Sequence, residues 1–163
     1  MTESPTVVIL GPGVSGLCMG IQLLRAGISS FTILEKSDRV GGTWYDNQYP
    51  GAACDVPSHF YCYSFEPNPE WSHPYSPGAE IQAYFERVAK RHDIVRKIRF
   101  GDEVVRCAHR DGRWQLTTAS GVRDEVDVVI AATGVLHRPR YPEIEGLDSF
   151  AGHAFHSARW DHA

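Results

Sequence analysis

The N-terminal pattern of apolar and polar positions predicts a strand, a helix and a second strand. Residues Thr6 to Leu10 form a continuous apolar, β-branched run, which is typical of a strand buried on both faces. Three apolar residues then recur at helical spacing before Gly27, a natural helix terminator: Leu17, Ile21 and Leu24. Phe31 to Leu34 is the second strand. A βαβ opening of this kind implies a right-handed crossover and a parallel sheet.

Residues 41 to 77 show neither helical nor strand periodicity. They nevertheless contain nine of the 18 aromatic residues in the chain. Structureless segments longer than about 15 residues are usually functional or disordered, and this aromatic density argues against disorder. We therefore predict an ordered aromatic loop (residues 41–77) packed over a flat ligand.

A helix, three short strands and a buried strand are predicted after the aromatic loop. Ser76 should cap the helix, with Pro77 at its first position, before an apolar stripe: Ile81, Tyr84, Phe85, Val88 and Ala89. The Asp111-Gly112 pair predicts a hairpin between strands at residues 103–108 and 113–118, and Gly121 predicts a further turn that completes a three-stranded meander. Residues 126–131 should form another buried strand. The fold class is therefore α/β with a small antiparallel meander.

The candidate chemistry begins with three glycines between the first strand and the first helix. Gly11 permits a tight turn, Gly13 permits close approach of a diphosphate, and Gly16 allows the helix to pack near the strand. The helix N-terminus offers unpaired N–H groups to phosphate. Glu35, 19 residues after Gly16, suits a ribose 2′-hydroxyl and repels a 2′-phosphate. The pattern predicts a dinucleotide site for FAD or NAD(H); the alternative is a glycine turn that serves packing alone.

Charge and composition exclude several other functions. The net charge of -4 argues against nucleic acid as a main partner. No apolar run approaches the roughly 20 residues that cross a bilayer, and no signal peptide is evident, so we expect no membrane association and a cytoplasmic location. The cysteines lack zinc-ligand spacing, and the C-terminal histidines lie in a stretch without clear secondary structure. No metal site is predicted.

Two further motifs give the chain a resemblance to a known family. Residues 41–55, GGTWYDNQYPGAACD, match the pattern G-G-x-W-x-x-x-x-Y-P-G-x-x-x-D at every fixed position. Residues 150–161 match F-x-G-x-x-x-H-x-x-x-W-D. With the glycine turn, these stretches resemble the class B flavoprotein monooxygenases, and the Trp160-Asp161 ending favours the Baeyer–Villiger branch. The likeness extends over essentially the whole chain.

The resemblance implies a Rossmann-like, three-layer FAD-binding fold and a set of site residues. It implies that Asp55 and His156 are the catalytic residues present here, Asp55 beside the flavin and His156 in the linker motif. It further implies that FAD is bound by these residues: Gly11, Gly13, Ser15, Gly16, Glu35, Gly42, Thr43, Trp44, Tyr45, Asp46, Asp55, Tyr61, Val104, Thr133 and Gly134.

The resemblance also implies a reaction. In that family NADPH reduces FAD, O2 forms a flavin C4a-peroxide, and one oxygen atom is inserted beside a ketone carbonyl. The partners are then a small ketone and O2. We expect residues 1–136 to be the N-terminal part of an FAD domain and residues 137–163 a linker towards an NADPH domain. On this view the chain is an incomplete domain, inactive alone. Two alternatives remain open: an N- or S-oxygenating flavin monooxygenase, and a non-catalytic nucleotide-binding fragment.

Overall fold

Strand β1 (Val7–Leu10) lies inside a four-stranded parallel sheet, whose order is β3 (Ile98–Arg99), β2 (Phe31–Leu34), β1 and β7 (Val128–Ala131). The computed structural model describes residues 4–162. Ile9 is opposite Ile33 of β2 (Phe31–Leu34) and Ile130 of β7 (Val128–Ala131). β3 (Ile98–Arg99) pairs with the other edge of β2. The predicted parallel sheet is confirmed, with β2 at its predicted bounds.

Two helices cover one face of this sheet. Side chains alternate between the two faces of a strand, so every second residue of β1 and β2 packs against these helices. The helices are α1 (Val14–Arg25) and α3 (Gly78–Arg91). Ile9 and Ile33 are fully buried on this face, in one core with the apolar stripes of both helices. The α3 stripe is buried as its spacing predicts, at these positions: Ile81, Tyr84, Phe85, Val88 and Ala89. This core places the start of α1 against the end of β1.

The opposite face of the sheet carries the meander, whose strands are β4 (Val104–Arg110), β5 (Arg113–Thr118) and β6 (Arg123–Val126). Val8 and Leu34 pack there against Leu116 and Val126. The arrangement of helices, sheet and meander confirms the predicted three-layer α/β fold. The Asp111-Gly112 turn has positive φ at both residues, 51° and 80°, as a two-residue type I′ hairpin requires.

A β-bulge near the start of β4 decides which of its side chains face the core. The pairing with β5 shifts between Val104 and Arg106, so that Val105 is extra and is 60% exposed. Val104 therefore packs inward, and Arg106 faces outward although it lies only two positions further on. Without the bulge these two side chains would share one face.

The aromatic loop is ordered, as predicted, and Tyr84 of α3 holds it in place. The Tyr84 hydroxyl donates a hydrogen bond to the Glu66 carbonyl at 2.7 Å and accepts one from the Tyr63 N–H at 2.8 Å. Tyr63 in turn donates through its hydroxyl to the Val14 carbonyl at 2.6 Å, and its ring stacks on Phe65 with centroids 4.9 Å apart. The loop is thereby tied to both helices.

Three local expectations are wrong. Ser76 does not cap α3: Pro77 is the N-cap, and the buried Ser76 hydroxyl bonds instead with that of Ser58 at 2.8 Å. The aromatic loop contains a one-turn helix, α2 (Thr43–Asp46). The predicted buried strand at 126–131 is divided, and β7 is partly exposed because it forms an edge of the sheet among residues 4–162.

The remaining regular segments are single 3₁₀ turns at Ser58–Phe60, Val95–Lys97, Leu147–Ser149 and Ser157–Arg159. None of the helices formed by residues 4–162 has the length and apolar character that a membrane crossing requires. In the same part of the chain, His, Cys, Asp and Glu side chains nowhere group in threes around a potential metal position.

We expect Tyr84→Phe to lower the free energy of unfolding by about 1–3 kcal/mol, because it leaves the buried Tyr63 N–H without a partner. Urea denaturation of the chain measures the change. Tyr75→Phe is the control, since Tyr75 is 53% exposed. Equal stability of the two variants would contradict this role of Tyr84.

A second prediction concerns Asp102, a buried carboxylate between the sheet and the meander. Its Oδ1 accepts from the Ser120 hydroxyl at 3.1 Å, and its N–H donates to the Glu35 carbonyl at 2.8 Å. Hydrogen bonding by the Thr118 hydroxyl, then by Ser120 and Arg99, lowers the pKa of Asp102. The stabilisation is therefore complete above the pKa of the unfolded chain and is lost as pH falls through the lower pKa of the folded chain.

Asp102→Asn should consequently reduce stability at neutral pH, and the difference from the wild-type chain should shrink below about pH 4. Urea midpoints at several pH values measure this, with the exposed Asp148→Asn as the control. A difference that stays constant across the range would be inconsistent with a carboxylate role.

Candidate functional site

The candidate site begins where β1 meets α1 with almost no space between them. A Cβ atom built on Gly16 would lie 1.8 Å from the Gly11 carbonyl oxygen, so that only glycine fits there. The Gly11 N–H donates to the Leu34 carbonyl at 2.9 Å, which ties the turn to β2. The turn is thus fixed on both sides by backbone contacts, as its glycine spacing predicts.

A second glycine segment lies directly against this turn. The Gly41 N–H donates to the Pro12 carbonyl at 3.1 Å, and a Cβ on Gly42 would lie 3.2 Å from the Gly13 Cα. Gly42 also has φ 56° and ψ −116°, a conformation that side chains disfavour. The first and second sequence motifs therefore meet here, and both present bare backbone.

The N-terminus of α1 points its unpaired N–H groups towards this region. The first four N–H groups of an α-helix have no intrahelical partner, and the aligned peptide dipoles make that end positive. The first turn of α1 carries no acidic residue that would compete for these groups. The geometry suits an anion such as a diphosphate.

A cavity of about 240 Å³ opens beside the two glycine segments. It brings together ten of the residues expected at the site: Gly11, Gly13, Ser15, Glu35, Gly42, Thr43, Asp46, Tyr61, Thr133 and Gly134. Gly16 contributes packing beneath this cavity rather than its lining.

Glu35 stands at the end of β2 with most of its surface buried. Its Oε1 accepts a hydrogen bond from the Ser37 N–H at 2.7 Å, which fixes the carboxylate. Oε2 has no hydrogen-bond partner among residues 4–162. Because Glu35 lines the cavity, this oxygen is available to a ligand hydroxyl.

A larger cavity of about 520 Å³ shares Gly11, Glu35 and Thr133 with the first. Val104 of β4, one of the expected site residues, lines this larger cavity. Together the two cavities form an elongated space along the carboxyl ends of the parallel strands. Ligands of open α/β sheets bind at that edge.

Sequence reasoning missed several residues that line this space. Lys36 and His137 border both cavities, and Arg138 and Arg159 border the larger one. The Lys36 Nζ lies 4.0 Å from the Asp46 Oδ2. The sequence could have indicated Lys36, because it directly follows Glu35, an expected site residue. The two arginines enter from the irregular C-terminal segment, where no periodicity indicates which side chains turn inward.

Trp44 and Tyr61 form a hydrogen-bonded pair at the first cavity. The Trp44 Nε1 donates to the Tyr61 hydroxyl at 2.9 Å, and their rings meet edge to face with centroids 5.6 Å apart. Burial raises the pKa of Tyr61, so its hydroxyl stays protonated at neutral pH. Of this pair only Tyr61 lines the cavity.

Tyr45 does not line the cavity that its motif neighbours Thr43 and Asp46 line. Its hydroxyl donates to the Asp38 Oδ1 at 2.5 Å, and this hydrogen bond raises the pKa of Tyr45. The ring borders an open cleft shared with Trp160 of the linker motif, outside the cavity at the glycine turn.

The two expected catalytic residues, Asp55 and His156, do not line either cavity. Asp55 is exposed in the aromatic loop, close enough to Tyr61 for its charge to contribute to the raised pKa of that residue. His156 is half-buried. Its Nδ1 accepts a hydrogen bond from the Ala158 N–H at 3.0 Å, and its ring contacts that of Tyr141. The structure therefore places neither residue at the two cavities beside the glycine turn.

Comparison with known proteins identifies a family for this arrangement. The family model described as pyridine nucleotide-disulphide oxidoreductase matches residues 8–163. An uncharacterized monooxygenase of Mycobacterium tuberculosis is 56% identical over 158 residues, covering 97% of this chain and 32% of that protein. A Baeyer-Villiger monooxygenase of Streptomyces coelicolor is 48% identical over 162 residues, covering 98% and 31%.

A solved structure agrees with these relatives. The crystal structure of OTEMO in complex with FAD and NADP superposes with a TM-score of 0.88 at 32% identity, over 99% of this chain and 31% of that one. The chain spans about a third of the length of the curated relatives it matches. These comparisons confirm the resemblance indicated by the motifs, and the chain belongs to the pyridine nucleotide-disulphide oxidoreductase family.

Proposed function

We propose that this chain forms the FAD-binding part of a flavin-dependent Baeyer–Villiger monooxygenase. The observation that carries the proposal is the cavity at the glycine turn, where Gly13 and Gly42 touch, α1 presents its N-terminus and Glu35 offers a free carboxylate oxygen. Its walls are backbone on the side where a diphosphate would approach. The OTEMO structure, similar in fold, is a complex with FAD and NADP.

The residues present fit FAD in chemistry and in order. The turn at Gly11 to Gly16 and the first N–H groups of α1 would hold the diphosphate. Oε2 of Glu35 would accept a hydrogen bond from a ribose hydroxyl. Val104 borders the larger cavity, where an adenine would lie. Thr43, Asp46 and Tyr61 border the opposite, flavin end.

Side chains of the chain itself would orient hydrogen-bonding groups in the cavity and hold protons there. Trp44 donates its indole N–H to the Tyr61 oxygen, so that the proton of the Tyr61 hydroxyl is available to a group in the cavity. Bound FAD supplies the redox chemistry that amino acids lack, accepting hydride from NADPH and activating O2. Asp55, beside Tyr61 and exposed here, would contribute negative charge at the flavin end.

The whole protein would insert one oxygen atom beside the carbonyl of a small ketone, with NADPH and O2 as co-substrates. The name of the Streptomyces coelicolor relative supports this reaction. We further propose that residues 1–136 are the FAD-binding domain portion and residues 137–163 a linker towards an NADPH-binding domain, with His156 acting from this linker.

We expect Gly13→Ala to weaken FAD binding at least tenfold, about 1.4 kcal/mol, while leaving the fold intact. An added Cβ would meet only the Gly42 Cα, at 3.8 Å, an ordinary contact, but it would narrow the approach of the diphosphate. Flavin fluorescence titration measures the affinity and urea denaturation the stability.

Gly16→Ala is the contrasting variant, since its Cβ would lie 1.8 Å from the Gly11 oxygen and should destabilise the chain outright. If Gly13→Ala binds FAD as tightly as the wild-type chain, the turn is not the diphosphate site.

The reaction is tested on the complete gene product that contains this sequence. With FAD bound, we expect ketones to increase NADPH oxidation and to yield esters or lactones, detected by mass spectrometry. Hydrogen peroxide is measured in parallel to separate uncoupled oxidation from oxygen insertion. Turnover of sulfides or amines without ester formation would instead support an N- or S-oxygenating enzyme, and no response to a broad ketone panel would contradict the proposal.

A further inference from the structure

The outer face of the meander concentrates positive charge in a chain whose net charge is -4. The register set by the Asp111-Gly112 turn makes Arg106, Ala108 and Arg110 the outward side chains of β4. On the neighbouring strands they are followed by Thr117 and Gln115 of β5, and by Arg123 and Glu125 of β6. Three exposed arginines thus share one face.

This face is concave. A groove of about 360 Å³ is lined by the following residues: Arg106, Ala108, Arg110, Gln115, Leu116, Thr117, Arg123 and Glu125. The small side chain of Ala108 leaves space between Arg106 and Arg110. The groove shares no lining residue with the two cavities at the glycine turn, so it is a separate feature of the molecule.

The three arginines of the groove lack a paired carboxylate among residues 4–162, although Glu125 also lines the groove. Glu125 is already paired with Arg113, whose Nε lies 2.8 Å from the Glu125 Oε1 and whose Nη1 lies 2.7 Å from the Asp127 Oδ1. Arg106, Arg110 and Arg123 make no ion pair or side-chain hydrogen bond within residues 4–162. Like charges gathered on neighbouring strands destabilise a sheet, and an anion between them removes that cost.

The strand pairing places two of these arginines on either side of the Thr117 hydroxyl. Arg106 and Arg123 are both opposite Thr117, one on each side of β5. Strands are about 4.8 Å apart, so that the two Cα atoms are about 10 Å apart, a span that two arginine side chains can close over one tetrahedral anion. Guanidinium groups bind phosphate oxygens in pairs, and a threonine hydroxyl adds a further donor.

We propose that the outer face of the meander binds a small oligophosphate, with Arg106, Arg123 and Thr117 holding one phosphoryl group and Arg110 approaching a second. The size of the groove suits a diphosphate, free or attached to a nucleoside, better than a single phosphate. This site is independent of the proposed function at the glycine turn.

The test measures binding of inorganic diphosphate by calorimetry to the chain saturated with FAD, so that the glycine turn is occupied. Arg106→Gln and Arg123→Gln should each weaken binding about five- to tenfold, and the double variant should abolish it. Arg140→Gln, at an exposed arginine in the C-terminal segment, should bind like the wild-type chain.

A thermal readout separates binding from simple structural effects. Without diphosphate, the two glutamine variants should unfold at the same temperature as the wild-type chain or higher, because repulsion is relieved. Diphosphate should then raise the unfolding temperature of the wild-type chain and not of the double variant. The thermal measurements use chains saturated with FAD, so that the glycine turn is occupied throughout.

ADP in place of diphosphate distinguishes the source: tighter binding of ADP indicates a nucleotide, and equal binding indicates the free anion. The proposal is overturned if diphosphate does not bind, if the double variant binds it unchanged, or if a hexaglutamate peptide binds more tightly than diphosphate.

Discussion

The absence of a side chain at Gly16 is the constraint on which the candidate site depends. Helix α1 crosses the end of β1 so closely that a single Cβ would overlap the Gly11 carbonyl oxygen. This approach brings the positive end of the helix to the edge of the sheet, where Glu35 and Thr133 also end their strands. Any residue larger than glycine would move the helix away, and the N–H groups would no longer face the cavity.

The aromatic loop depends on this arrangement in turn. Its glycines at 41 and 42 rest on the turn, and Tyr63 bonds to the first residue of α1. Tyr84 holds the other side of the loop by two hydrogen bonds to its backbone. The loop can therefore place Tyr61 at the cavity without any regular strand of its own, because helices on both sides fix it.

Local signals in the sequence were sufficient for the glycine turn, the strands around it and the hairpin, since each is set by residues close together in the chain. Distant contacts decided the rest. Ser76 has the composition of a helix cap, but Ser58, 18 residues earlier, takes its hydroxyl. The exposure of β7 (Val128–Ala131) follows from its place at the sheet edge. His137 reaches the two cavities through tertiary geometry that no local pattern records.

The bulge at Val105 gives the meander two chemically separate sides from one short strand. The Asp111-Gly112 turn fixes the pairing of β4 from Arg106 onwards, and the bulge lets Val104 face the core while Arg106 stays on the outer face. Removing Val105 would keep the pairs Val104–Thr118 and Arg106–Thr117, whereas removing a residue between Arg106 and Arg110 would place Arg106 opposite Leu116, on the core side. The strand should therefore tolerate many substitutions on its outer face but not a deletion between Arg106 and Arg110. Insertions and deletions, more than point changes, are the events that could exchange its inner and outer surfaces.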